Sequence, residues 1–223
     1  LALGTGRPVL IVPTRGEIRP VVRRVLVAWN GSREASRAHG WYCRNTAYNP
    51  FTVEGKKTVA FEICEQLGWR APDRVYVSVG DGNIITGVHK GLSELRELGW
   101  IERMPRLIGV QARGSAAIAN AFAAGTDVIE AVEAHSIADS ICANMPADGF
   151  RALRAVRETG GHFVVVNDAQ ILTAIAGLGR QAGVFAEPAA AAAYAGFVLD
   201  EIDGGIDKDE HVVVSCTGNG LKD

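Results

Sequence analysis

Apolar residues fall along this chain in two alternating textures: short continuous runs, and stretches that recur every three or four positions. The runs "RPVLIVP" (7–13), "RRVLVAW" (23–29), 75–79, "RLIGVQA" (Arg106–Ala112), "HFVVV" (162–166) and "EHVVVSC" (210–216) read as strands buried on both faces. Between them lie helical patterns. Val59, Ile63 and Leu67 share a helix face, with Phe61 and Cys64 beside them, and Gly68 ends the stretch. Further helices are predicted from about Ile84 to Leu98, within "SAAIANAFAAG" (115–125), over Asp148–Thr159, from Asp168 as a good N-cap, and over "AAAAAYAGFVLDEI" (189–202). Residues 125–147 read as loop, and "GVFAEP" (183–188) as a short strand or extended segment. This alternation predicts an α/β fold, an open parallel sheet with helices on both faces.

The pattern is interrupted once. Asn30–Ala38 looks like a turn, capped at Asn30 or Ser32, that begins a helix and does not complete it. From His39 the chain turns aromatic and irregular, "HGWYCRNTAYNPF", and is broken by Pro50. Three parts are therefore expected: residues 1–38, an irregular junction at 39–51, and the main unit at 52–223.

Composition narrows the function classes. The chain has 223 residues, is 48% hydrophobic and 22% charged, and carries a net charge of −2. Such a balance gives no electrostatic case for nucleic acid or for an anionic membrane surface. No apolar run is long enough to span a bilayer, and the first 13 residues lack the features of a signal peptide. Leu1 in place of Met suggests a longer reading frame or trimming. Cys43, Cys64, Cys142 and Cys216 form no C-x-x-C pair and are expected to be reduced thiols in a cytoplasmic protein. The five histidines are scattered, so no metal site is expected.

Two turns carry candidate chemistry, because each follows a strand and is rich in glycine: Gly80-Asp81-Gly82-Asn83 and Thr217-Gly218-Asn219-Gly220. In a parallel open sheet, ligands bind beyond the carboxyl ends of the strands. Glycine allows positive φ and a close approach, and amides at a helix start attract anions. A side chain at Gly82 is expected to fill such an anion seat. Spacing alone leaves two readings open, a phosphate seat and a plain turn.

Five stretches add to this: "NPFTVEGKKTVAFEICEQLGW", "VSVGDGNIITGVHKGLSELRELGWI", "PRLIGVQARGSAAIANA", "EPAAAAAYAG" and "VVVSCTGNGLKD". Together they resemble the C-terminal part of the threonine synthases, fold-type-II pyridoxal-phosphate enzymes of the tryptophan-synthase-β family, over about residues 49–223. The resemblance implies pyridoxal 5'-phosphate as cofactor. Gly80, Asp81, Gly82 and Asn83 would cradle its phosphate, chiefly through backbone N–H groups. Thr217 would hydrogen-bond the pyridine nitrogen, and Glu187 would lie near the ring edge or else serve as an N-cap acid. The implied reaction converts O-phosphohomoserine to threonine and phosphate, with a small amino-acid substrate and no nucleic acid or membrane partner; a homo-oligomer is left open.

In that family the Schiff-base lysine stands in a Ser-Phe-Lys-Asp-like motif in the N-terminal half. Lys56, Lys57, Lys90, Lys208 and Lys222 stand in no such motif, and Lys56 and Lys57 are expected to be solvated at a helix start. The chain is accordingly expected to be an inactive fragment of a lyase with apolar surface exposed. The alternatives are a non-catalytic binder of pyridoxal phosphate or phosphate, and a serine/threonine dehydratase-like enzyme. Residues 1–38, with "GRPVLIVP" and "RVLVAWNGSREASRA", resemble a universal stress protein fragment without its nucleotide loop, so no ATP site is expected there.

Overall fold

Asn49 and Pro50 open a helix rather than break one. The Asn49 side chain accepts from the Phe51 amide, and Pro50 takes the first helical position, where its missing N–H costs nothing. This helix, α1 (Pro50–Lys56), begins two residues before the expected boundary at 52 and leads through Lys57 into α2 (Thr58–Gln66). The computed structural model describes Gly40, Cys43 and residues 45–222. The strands expected at 7–13 and 23–29, the turn at 30–38 and the stress-protein-like segment 1–38 lie outside the described residues.

Four strands follow the predicted positions closely: β1 (Arg74–Ser78), β2 (Arg106–Ala112), β3 (Phe163–Val166) and β4 (Val212–Ser215). Between them lie α3 (Asn83–Glu97), α4 (Ala117–Ala123), α5 (Gly149–Glu158), α6 (Asp168–Ala182) and α7 (Pro188–Ile202). The sheet runs β3-β2-β1-β4, and each neighbouring pair is parallel. Its two faces are covered by different helices. Val75, Val77, Val79 and Leu107 pack with α2, α3, α4 and α5, whereas Tyr76, Ile108, Val110 and Val166 pack with α6 and α7. Each fully buried aliphatic side chain contributes about 1.5–3 kcal/mol, so the faces hold the fold from both sides. Ala189–Ala193 are all buried, and their small side chains bring α7 close to the sheet. Phe51, Phe150, Leu172 and Ile202 are exposed apolar side chains.

One cap differs from expectation. Asn167, not Asp168, caps α6, in a reciprocal box with Gln170. The Asp168 carboxylate instead accepts from Ser136 Oγ at 2.6 Å and from the Ile137 amide, pinning the long loop before α5.

The two ends of the sheet are built differently. At the amino end, Arg74 donates to Glu210 at 2.5 Å, and Arg106 donates to the same carboxylate. Nearby, Tyr76 Oη donates to Asp200 Oδ2 at 2.6 Å, and His162 Nε2 lies 2.9 Å from that oxygen. The carboxyl end carries the glycine turns.

Candidate functional site

From β1 the chain proceeds to β2 and β3 on one side, while β4 returns to the other. The order of the sheet therefore reverses between β1 and β4. In an open parallel sheet a crevice forms at such a point, beyond the carboxyl ends. Ser215 pairs with Val77, so the turn after β4 lies beside the turn after β1. The two candidate turns are thus neighbours.

Gly80, Asp81 and Gly82 form the first turn, and Gly82 is the N-cap of α3, with φ +91 and no capping side chain. The first amides of a helix have no carbonyl of their own to bond, and the helix dipole adds positive potential there. A Cβ on Gly82 would stand 2.8 Å from Ala152 Cβ and 2.9 Å from the Asp148 carbonyl oxygen. That direction leads toward α5. Positive φ, as expected, and close packing against α5 both demand glycine here. Gly80 is likewise held against the Ile141 backbone, where an added Cβ would approach to 2.8 Å.

The polar side chains of this turn fix it in place. Asp81 accepts from Thr46 Oγ1 at 2.9 Å and from the Ala147 amide at 3.1 Å, and its carbonyl accepts from the Asp148 amide at 2.8 Å. Asn83, 3% exposed, donates through Nδ2 to Asp148 and to Thr52, and accepts through Oδ1 from Lys56 Nζ at 2.6 Å. The Asn83 side chain is thus a cross-brace between α1, α3 and the start of α5. Gln111, fully buried, donates to the Val79 carbonyl and accepts from the amides of Ile118 and Ala119, which locks the end of β1 to the start of α4.

In front of this turn is a cavity of about 120 Å³ walled by Lys56, Ser78, Gly80, Asp81, Gly82 and Asn83, with Ser140 and Ile141 opposite. Ser78 closes β1, is 4% exposed, and its Oγ has no hydrogen-bond partner. A buried hydroxyl left unpaired costs about 1–3 kcal/mol, so a ligand that bonds it recovers that cost. A wider groove of about 500 Å³ lies between α6 and α7, lined by Thr173, Gly177, Tyr194 and Ile202. Its wall is mainly apolar, and the convergence of an orphan hydroxyl, a helix start and a cation occurs at the glycine turn instead.

The second turn forms its own cluster. The Glu187 amide donates to the Gly218 carbonyl at 3.1 Å, Gly220 donates to the Phe185 carbonyl at 2.9 Å, and Ala186 bridges Asn219. Glu187 is 4% exposed and occupies the N-cap of α7, yet its side chain makes no capping hydrogen bond. Its carboxylate fills the space a side chain at Gly218 would need, 2.0 Å from the added Cβ. Thr217 is exposed at the adjacent position. Gly80–Asn83 therefore surround one cavity, while Thr217 and Glu187 gather beside it and do not line it.

Sequence reasoning missed Lys56 and Ser78 in the cavity wall and Asp148, which braces Asn83. Ser78 had a signal, since it is the polar residue ending an apolar strand just before a glycine turn. Burial pushes the Cys216 thiol up, and burial with Asp139 and Asp168 does the same for Cys142, so neither is a ready thiolate. Among the described residues, no group of three His, Cys, Asp or Glu side chains could hold a metal, and no helix is long and apolar enough to cross a membrane.

Comparison with known proteins adds to this geometry. The family model for "Pyridoxal-phosphate dependent enzyme" matches residues 11–218, beginning inside the segment likened to a universal stress protein. The threonine synthase of Methanocaldococcus jannaschii is 42% identical over 176 residues, which cover 78% of this chain and 44% of that protein. The threonine synthase of Mycobacterium tuberculosis is 39% identical over 177 residues, covering 78% and 46%. The chain thus spans less than half the length of these relatives. Among solved structures, threonine deaminase isoform 2 from Solanum lycopersicum aligns with a TM-score of 0.69 at 21% identity, over 85% of this chain and 52% of that one. Maize serine racemase aligns with a TM-score of 0.64 at 23% identity, over 84% and 55%. These two likenesses show a shared fold.

Proposed function

The chain belongs to the pyridoxal-phosphate dependent enzymes, and from that premise we propose that it carries the phosphate-holding part of a threonine-synthase-like lyase site. The observation that carries this reading is Ser78 Oγ, buried and without a partner in the wall of the cavity at the start of α3. A phosphate oxygen fits that hydroxyl, and the first amides of α3 fit the remaining charge. Gly80, Asp81, Gly82 and Asn83 hold the phosphate through their backbone N–H groups. Thr217 bonds the pyridine nitrogen from the neighbouring turn, and Glu187 lies by the ring edge. A neutral hydroxyl at Thr217 leaves the ring nitrogen less protonated than a carboxylate would.

When bound, pyridoxal phosphate supplies the electron sink for breaking bonds next to the amino group of an amino-acid substrate. The reaction of the whole enzyme would turn O-phosphohomoserine and water into threonine and phosphate. None of the five lysines stands in the motif that resemblance associates with the cofactor, so turnover requires a lysine from outside these residues. On its own this chain is a binder and an inactive fragment of the lyase. The cytoplasm suits it, because its four cysteines are free thiols. Likeness to threonine deaminase rests on fold alone and does not favour dehydration.

The test is a titration of the purified chain with pyridoxal phosphate, followed by absorbance, with phosphate release from O-phosphohomoserine measured in parallel. One cofactor per chain, displaced by inorganic phosphate and giving no turnover, is the expected result. Absence of saturable binding would overturn the seat, and turnover by the chain alone would overturn the fragment reading.

A further inference from the structure

We infer that Lys56 is the charged contact for the phosphate group in this seat, and that it is not an anchor for the cofactor's aldehyde. The inference rests on the proposed phosphate seat and adds a residue to it. Lys56 is the last residue of α1, and its position is set by the backbone. A Cβ on Gly87 would stand 2.7 Å from Lys56 Cβ, so α1 ends directly on the second turn of α3. From there Nζ reaches Asn83 Oδ1 at 2.6 Å, and both residues line the cavity.

Charge requires a cation at this place. A phosphate monoester carries about two negative charges near neutral pH. It would approach a turn that already carries the Asp81 carboxylate, with the Asp148 carboxylate bonded to Asn83 beside it. Asp148 has Arg151 Nη1 at 3.3 Å, on its other oxygen. Among the described residues lining the cavity, Lys56 is the one with a positive side chain. An ammonium has three protons to donate, and the bond to Asn83 orients it at the cavity wall.

Size decides between the two roles a lysine could play. The cavity holds about 120 Å³, whereas pockets for whole cofactors run to roughly 300–1,000 Å³. It takes the phosphate end of the cofactor and leaves the ring outside. A side chain in the same small cavity therefore meets phosphate oxygens rather than the aldehyde carbon.

The experiment compares binding of pyridoxal phosphate, pyridoxal and inorganic phosphate to the wild-type chain, Lys56→Gln and Lys56→Arg. Borohydride reduction and peptide mapping follow on the wild type. Glutamine keeps a donor for Asn83 and loses the charge, and thermal melts without ligand verify that each variant is folded. Pyridoxal phosphate is expected to outbind pyridoxal by far. Lys56→Gln should weaken it by about tenfold, the effect of one charge-assisted hydrogen bond. Lys56→Arg should restore most of the affinity. Reduction should leave Lys56 unmodified. Wild-type binding through the phosphate that Lys56→Gln leaves unchanged would overturn the inference and spare the seat. Equal binding of pyridoxal and pyridoxal phosphate would overturn the seat itself. A stoichiometric adduct on Lys56 would make it an anchor and overturn its role as a phosphate contact.

Discussion

Lys56 leaves no room for a side chain at Gly87: the space a Cβ there would occupy lies 2.7 Å from Lys56 Cβ and 3.0 Å from the Lys56 carbonyl carbon. Glycine in the middle of α3 is costly for a helix, and here it is the condition for α1 to lie against α3. Gly87→Ala should therefore lower stability although alanine favours helix. The expected loss is about 1–2 kcal/mol, the overpacking cost less the propensity gain. Urea denaturation would measure it, and an unchanged or higher midpoint would show that α1 yields freely.

Gly82→Ala should destabilise the chain before any cofactor is added. Its φ of +91 and its approach to the Asp148 carbonyl both oppose a side chain. The expected cost is about 2 kcal/mol, read as a lower melting temperature of the ligand-free protein. A variant that melts like the wild type and binds no pyridoxal phosphate would instead place the side chain in the anion seat.

Ser78→Ala should move stability and binding in opposite directions. Removing the unpaired buried hydroxyl should leave stability equal or raise it by about 1 kcal/mol. Affinity for pyridoxal phosphate should fall severalfold, because one phosphate oxygen loses its donor. Calorimetry and titration on one preparation would check both, and a stability loss with unaltered affinity would assign Ser78 a structural role.

Acid should loosen the amino end of the sheet through Asp200. Burial alone would raise this carboxyl; the hydrogen bonds from His162 and Tyr76, aided by Arg74, outweigh it and leave it below the usual range. A carboxyl depressed in the folded state contributes stability that is present above its unfolded value, about 4, and is lost as pH falls through the folded one. Asp200→Asn should remove that part of the acid dependence below about pH 4. Stability measured from pH 6 to 2 in both proteins would test it, and parallel curves would contradict it.

Much of this architecture could be read from the chain, and what could not has identifiable causes. The strands around Val77 and Val110 are continuous apolar runs, and few other structures accept such runs. Asn49-Pro50 looked like an interruption because proline breaks helix interiors, while at the first position it does not. Asp168 looked like the cap because it precedes the apolar period, yet Asn167 holds the partner three residues on. The glycine turn was visible as a candidate, and the side chains that complete its cavity were not. Lys56 meets Asn83 from 27 positions away, and Asn83 meets Asp148 from 65, pairings that no local period announces.

The reversal of strand order at β1 also sets a timetable for the nascent chain. Asp73, just before β1, accepts from the amide of His211, just before β4, across 138 positions. At roughly 5–20 residues per second, a ribosome delivers β4 on the order of ten seconds after β1. Once β2 has been made, β1 can pair with it on one side while its other edge stays open, and the turn bearing Thr217 has not yet been made. The crevice between the turns after β1 and β4 is therefore among the last parts of the described fold to be synthesised, and until then that edge of β1 has no strand to pair with.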